Sequence, residues 1–164
     1  MKTKIVFFGL IAFFFISCKS ARFLPSYKNI DINEYGSFIK VTQKKGTIIK
    51  GELIAINSEE MLILTEDTKE CLTLAISEVN KFKLRYAQPK NYGWSVPAFI
   101  ILPFIHGAYS AITIPVHLIV TISVTVAGDN AFVYNDKNMT YEKLRMFTRF
   151  PQGVPPNIDL SSLK

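Results

Sequence analysis

Histidine and cysteine are scarce in this 164-residue chain: His106, His117, Cys18 and Cys71 are all it has. The two histidines stand eleven positions apart with no carboxylate near them in sequence, which matches no metal-ligand spacing. Each is expected at a helix end, bonded to backbone or held at headgroup depth. Cys71 follows the acidic turn Glu66–Glu70, a setting that raises a thiol pKa instead of activating it, so it reads as a small strand residue. The carboxylate pairs Glu59–Glu60 and Glu66–Asp67 fall in expected hairpin turns, where solvated charge is ordinary. A glycine-rich phosphate loop is missing, as are a Gly-x-Ser-x-Gly elbow and any recognised serine, histidine and acid motif. The expectation is a protein that is not an enzyme, with no catalytic, cofactor-binding or metal-ligating residue.

Charge is absent from two segments. The first is Ile5–Ile16, an apolar run of 12 residues behind Lys2 and Lys4. As a helix it would reach about 18 Å, too short for a hydrocarbon core of about 30 Å, so residues 1–17 read as a signal peptide. The ending Ile16-Ser17-Cys18 resembles the lipobox of bacterial lipoproteins. That resemblance implies cleavage before Cys18, acylation of its thiol and amine, and firm attachment through several acyl chains. Lys19 follows where an Asp would retain the protein at the inner membrane, and Lys19-Ser20-Ala21-Arg22 contains no acidic surface-export run. The resemblance therefore implies a cell-envelope protein on the periplasmic face of the outer membrane. Residues 18–36 are expected to be a linker from the lipidated Cys18. With Cys18 acylated, Cys71 is the remaining thiol, and stability must come from a core or from the membrane. Loss of Lys2 and Lys4 leaves 17 basic against 13 acidic residues. The bases are interspersed with acids along the sequence, which suits weak attraction to headgroups and argues against nucleic acid.

Residues 37–88 read as a soluble fold. Phe38–Thr42, Thr47–Ile56, Met61–Thr65, Cys71–Ala75 and Lys81–Tyr86 have strand character, with Ile76–Asn80 as a short helical turn. Gly46 suits a positive φ in the first turn, and Gly51 marks a bend or bulge inside the second strand. Phe38 with Lys40, Leu72 with Leu74, and Phe82 with Leu84 each share a face. The Lys44-Lys45-Gly46 turn, Gly51-Glu52-Leu53 in a bent strand, Met61–Leu64 and Ile76–Val79 before the last strand resemble an Sm-like or SH3-like barrel. The resemblance implies a small five-stranded antiparallel barrel able to bind peptides or partner domains. Asn57-Ser58-Glu59-Glu60 does not reproduce the Asp and Asn with which Sm proteins hold a base, so no nucleic acid partner is expected.

The second charge-free segment, Asn91–Gly128, runs for 38 residues. One reading is an apolar, membrane-associated helical hairpin with legs Trp94–Ser110 and Pro115–Ala127 about Gly107 and Ala108. The legs would measure about 25 and 20 Å, which suits a tilted or re-entrant pair. Pro97 and Pro115 would occupy first-turn positions, and Pro103 would kink the first leg. The other reading makes Leu118–Val126 a strand, since Val120, Ile122, Val124 and Val126 alternate with Thr121, Ser123 and Thr125, with Gly128-Asp129-Asn130 as the turn into Ala131-Phe132-Val133-Tyr134.

Residues 136–150 have the pattern of a short amphipathic helix with Thr140 as N-cap, suited either to a headgroup layer or to docking on the barrel or the hairpin. Pro151, Pro155 and Pro156 make 151–164 an extended tail. Arg149-Phe150-Pro151-Gln152-Gly153 after such an apolar stretch resembles uncharacterised lipoproteins of Bacteroidota-type bacteria. The fold class expected is α+β: a five-stranded Sm/SH3-like barrel, an apolar hairpin and a short amphipathic helix. The function expected is a non-enzymatic interaction or scaffold role at the periplasmic bilayer surface. Membrane lipid is contacted through acylated Cys18 and residues 91–128, and an envelope protein is a further partner. The alternative is a binding module for a peptide, glycan or lipid, using the barrel or an apolar groove near Trp94, His106 and Tyr109.

Overall fold

The computed structural model describes residues 21–30, 34–89 and 109–163. The chain divides into two compact units, one of residues 21–90 and 129–164, the other of residues 1–20 and 91–128.

In the first unit alternating apolar residues and tight turns produce strands β1 (Phe38–Gln43), β2 (Ile48–Ile56), β3 (Glu60–Thr65), β4 (Cys71–Ala75) and β5 (Val79–Arg85). Gly46 closes the first turn at φ +88°, and the Asn57 side-chain oxygen accepts from the amides of Glu59 (2.8 Å) and Glu60 (2.7 Å) in the second. Ile76–Glu78 is the expected helical turn, of 3-10 type. The sheet is antiparallel with order β4-β3-β2-β1-β5-β6, its sixth strand, β6, being Val133–Asn135. The expected five-stranded closed barrel is therefore corrected to an open sheet of six strands. β6 takes the outer edge of β5, pairing Lys83 with Asn135 and Arg85 with Val133, so that edge is satisfied without closure.

Gly51 does not mark a bulge; the register shift in β2 falls between Leu53 and Ala55. Its glycine is required for another reason, since a Cβ there would overlap the carbonyl oxygen of Leu64 on β3.

One face of the sheet carries the main core: Ile39, Val41, Leu53, Met61, Ile63, Phe82 and Leu84 are buried together. The expected helix over 136–150 is shorter, one turn α2 (Tyr141–Leu144) continued by the 3-10 turn Arg145–Phe147. Thr140 occupies the N-cap position but its side chain makes no capping hydrogen bond. Leu144 is fully buried in the core and Phe147 packs against it, which is the docked alternative. Tyr86 stacks on Tyr134 at 5.4 Å and meets Phe147 at 5.4 Å, closing this side.

The opposite face has a smaller cluster of Ile54, Leu64 and Leu163, with Phe150, Val154 and Ile158 against it. Residues 151–163 thus fold back over β2 and β3 instead of extending away. Within the expected linker 18–36, residues 21–30 are fastened at Leu24 and Ser26. Leu24 is buried, its carbonyl accepts from Gln88 Nε2 at 2.8 Å, and Ser26 bridges to Gln88 in parallel.

In the second unit the described element is helix α1, Ser110–Asn130, which continues two residues into the first unit. The strand reading of 118–126 is overturned: these residues are helical. A helix satisfies its backbone hydrogen bonds within one segment, whereas a strand needs a neighbour. Helix α1 starts five residues before the expected second leg, so Pro115 lies inside it and leaves the Ala111 carbonyl without its i+4 donor. The expected first leg lies outside the described residues up to its last two positions. Among the described residues, no helix is long and apolar enough to cross a membrane.

Candidate functional site

Helix α1 has its polarity reversed. A helix in water buries an apolar stripe and exposes the rest. Here Val116, Ile119, Val120, Ile122 and Val126 are 52 to 63 % exposed, and Ile114, Leu118 and Val124 lie open to a lesser degree. Thr113, His117 and Thr121, at i, i+4 spacing along one side, are the half-buried ones. Thr125, exposed one turn further along, donates Oγ1 to the Thr121 carbonyl at 2.8 Å. Thr113 Oγ1 is buried with no hydrogen-bond partner among the described residues. Covering the eight exposed aliphatic side chains is worth on the order of 10 kcal/mol. That is comparable to the net stability of a typical domain.

The residues singled out in the sequence are scattered. Cys18, Trp94 and His106 lie outside the described residues, and Tyr109 is 72 % exposed. His117 belongs to the half-buried stripe of α1. Cys71 is half-buried on β4, where its thiol donates to the Leu160 carbonyl at 3.6 Å. Burial pushes its pKa up, the Arg149 guanidinium opposes this and the Glu52 carboxylate adds to it, so the thiol is held protonated. Glu59 and Glu60 cap the Asn57 turn with their amides and leave their carboxylates in solvent. No group of three His, Cys, Asp or Glu positioned for a metal occurs among the described residues.

Two constellations were hidden in the sequence. The first joins Glu52 to Arg149, 97 positions away. Arg149 Nε and Nη2 bond the two carboxylate oxygens at 2.7 and 2.5 Å, the Gly36 amide adds a third bond at 2.6 Å, and the guanidinium lies 5.0 Å from the Tyr35 ring centre. Glu52 is 3 % exposed, so this is a buried structural clasp. The second is cationic. In the sheet register Lys40 lies directly opposite Lys50 on one side and Lys83 on the other. Lys81 and Arg85 sit two positions either side of Lys83 and so share its face. A signal existed in the i, i+2 spacing of Lys81, Lys83 and Arg85, but the register that adds Lys40 and Lys50 is not written in the sequence.

No family model, curated protein or solved structure matches this chain.

Proposed function

We propose that this protein is a lipid-anchored component of the bacterial cell envelope with a non-enzymatic interaction or scaffold role at the bilayer surface. The observation that carries this reading is α1, with eight aliphatic side chains exposed while Thr113, His117 and Thr121 are half-buried. Hydrocarbon is the environment in which that arrangement is favourable, because acyl chains accept Val, Ile and Leu and polar side chains turn inward. A helix of this kind embeds by tilting or re-entering, and need not cross. The lipobox at Cys18 supplies a second, covalent anchor on the same chain, and the periplasmic face of the outer membrane is the location it favours.

Two measurements test the reading. Mass spectrometry of the purified protein is expected to find Cys18 as the amino-terminal residue, carrying diacylglycerol on sulfur. A Cys18→Ala variant behind a cleavable export signal is expected to stay in the pellet of carbonate-washed membranes, held by α1. Its release into the soluble fraction would remove the embedded element and leave the acyl group as sole anchor.

A further inference from the structure

We infer that the outer face of strands β1, β2 and β5 is a docking surface for anionic lipid headgroups. This rests on the bilayer reading above and adds a partner chemistry for the sheet. Lys50, Lys40 and Lys83 form a row across three neighbouring strands, each lysine directly opposite the next. Adjacent strands are about 4.8 Å apart, so the row spans about 10 Å. Lys81 and Arg85 widen it to five cations. The four lysines are exposed and Arg85 is half-exposed.

Like charges placed directly opposite destabilise a sheet, so such a row needs compensation. Outside these strands the nearest acid is Glu66, just past the end of β3, whose amide donates to the Lys50 carbonyl at 2.8 Å, and its carboxylate forms no ion pair with the row. Glu52 is the single acid in these three strands, and its carboxylate is occupied by Arg149. The Glu52–Arg149 pair is the one ion pair among the described residues. The other half of the same sheet face is treated differently: Ile54, Leu62 and Leu64 are covered by Phe150, Val154, Ile158 and Leu163. The chain thus folds its tail over the apolar half and leaves the cationic half open.

The occupant is chosen by shape and tethering. A row of lysines flanked by two further cations is complementary in charge to a layer of phosphates. No aromatic residue stands among the four lysines to stack a base, since Phe38 at the margin packs on Phe23 at 6.4 Å. A chain already held on a bilayer by α1 presents its cations to headgroups at high effective concentration. Each lysine near an anionic surface contributes about a fivefold gain in partition.

The test offers the full-length protein a choice between vesicles of pure phosphatidylcholine and vesicles with phosphatidylglycerol, each carrying its own dye. The apolar helix and acyl group contribute equally to both, so the ratio isolates the charge effect. The expected result is a preference for the anionic vesicles of about tenfold or more at physiological salt. Lys40→Gln, Lys50→Gln and Lys83→Gln together are expected to abolish it. Lys69→Gln, Lys137→Gln and Lys143→Gln together remove the same charge away from this face and are expected to retain it. Equal partition of the parent overturns the inference while leaving the α1 reading intact, and equal loss in both triple variants overturns it as mere net charge. Binding to anionic vesicles alone supports the cationic face and removes the α1 reading; binding to neither removes both. Displacement from the anionic vesicles by a single-stranded oligonucleotide at equal phosphate concentration would overturn the lipid assignment in favour of nucleic acid.

Discussion

Glu52 receives hydrogen bonds from two segments remote in sequence, the amide of Gly36 and the guanidinium of Arg149. Around it the backbone is interlocked: Leu53 donates to Ser37, while Arg149 and Phe150 donate to Leu53 and Ile54 at 3.0 and 2.9 Å. Gly36 admits no side chain, because a Cβ would overlap the Leu53 carbonyl and lie 2.8 Å from the Arg149 nitrogen. Removing one partner leaves the other charge buried and unpaired, which costs about 3–5 kcal/mol, whereas replacing both with apolar groups is close to neutral. Arg149→Met is therefore expected to lower the urea midpoint sharply and Glu52→Leu with Arg149→Met to recover most of it. A double-mutant cycle on equilibrium unfolding reads both. The pH dependence follows from other residues. Burial raises the pKa of Tyr86, assisted by Tyr134, of Tyr141, assisted by Asp136, and of the Cys71 thiol. The folded chain keeps these protons where the unfolded chain has begun to lose them. Their stabilisation is complete below about pH 8.5 and falls as pH climbs through the raised folded values. Asp159 acts in the opposite sense, since the Ser161 hydroxyl and amide hold its carboxyl low, so its contribution fades on acidification. Urea midpoints measured from pH 3 to 11 are expected to decline on the alkaline side, beginning with the thiol and continuing with the two tyrosines.

At the scale of elements, helix α1 lends itself to a single-site test. An arginine in the middle of a bilayer-embedded helix costs about 2.5–3.5 kcal/mol, less at headgroup depth. Ile122→Arg in the Cys18→Ala background is expected to move the protein into the carbonate-soluble fraction, while Ile122→Leu is expected to leave it in the pellet. The same helix shows where sequence legibility ends. Its Val and Ile residues alternate with Thr and Ser over 120–126, so a period of two competes with a helical reading, and only the unbroken run from Ser110 resolves it. Strands β1 to β5 were legible because alternation was bounded by turn chemistry at Gly46 and Asn57. β6 was legible only in part: a turn at Gly128-Asp129-Asn130 leads into Ala131–Tyr134, but three residues give no period and no pairing partner. Its presence decides between barrel and open sheet, so the architecture turned on its least visible strand. The cationic row was hidden for a related reason. Glu66, Asp67 and Glu70 neutralise the lysines in a linear count, yet of these only Glu66 comes beside the row, at Lys50, and it forms no ion pair there. Of the candidate site, the apolar, charge-free nature of 110–128 could be read directly; which side chains are exposed could not.

At the scale of the whole chain, the last residues are part of the fold that the middle of the chain builds. Val154, Ile158 and Leu163 lie among prolines at uneven spacing, so no periodicity announces them, yet they cover Ile54 and Leu64 on the sheet. Asp159 turns the chain back there, accepting from the Ser161 amide at 2.9 Å and hydroxyl at 2.7 Å. Each fully buried aliphatic side chain is worth about 1.5–3 kcal/mol, so loss of three partly or fully buried ones removes about 3–6 kcal/mol. Deletion of residues 154–164 is expected to lower the unfolding midpoint and to expose an apolar patch that binds a hydrophobic dye. Cys71 supplies a local readout, because its contact with the Leu160 carbonyl disappears in the shortened chain. Its alkylation at neutral pH is expected to accelerate to the rate of an open thiol. Carbonate resistance is expected to persist, since the deletion leaves every residue of α1 in place. A shortened chain that kept a slow thiol and its stability would show the tail to be dispensable to the fold. A shortened chain that lost carbonate resistance would move part of the membrane attachment from α1 to the C-terminal segment.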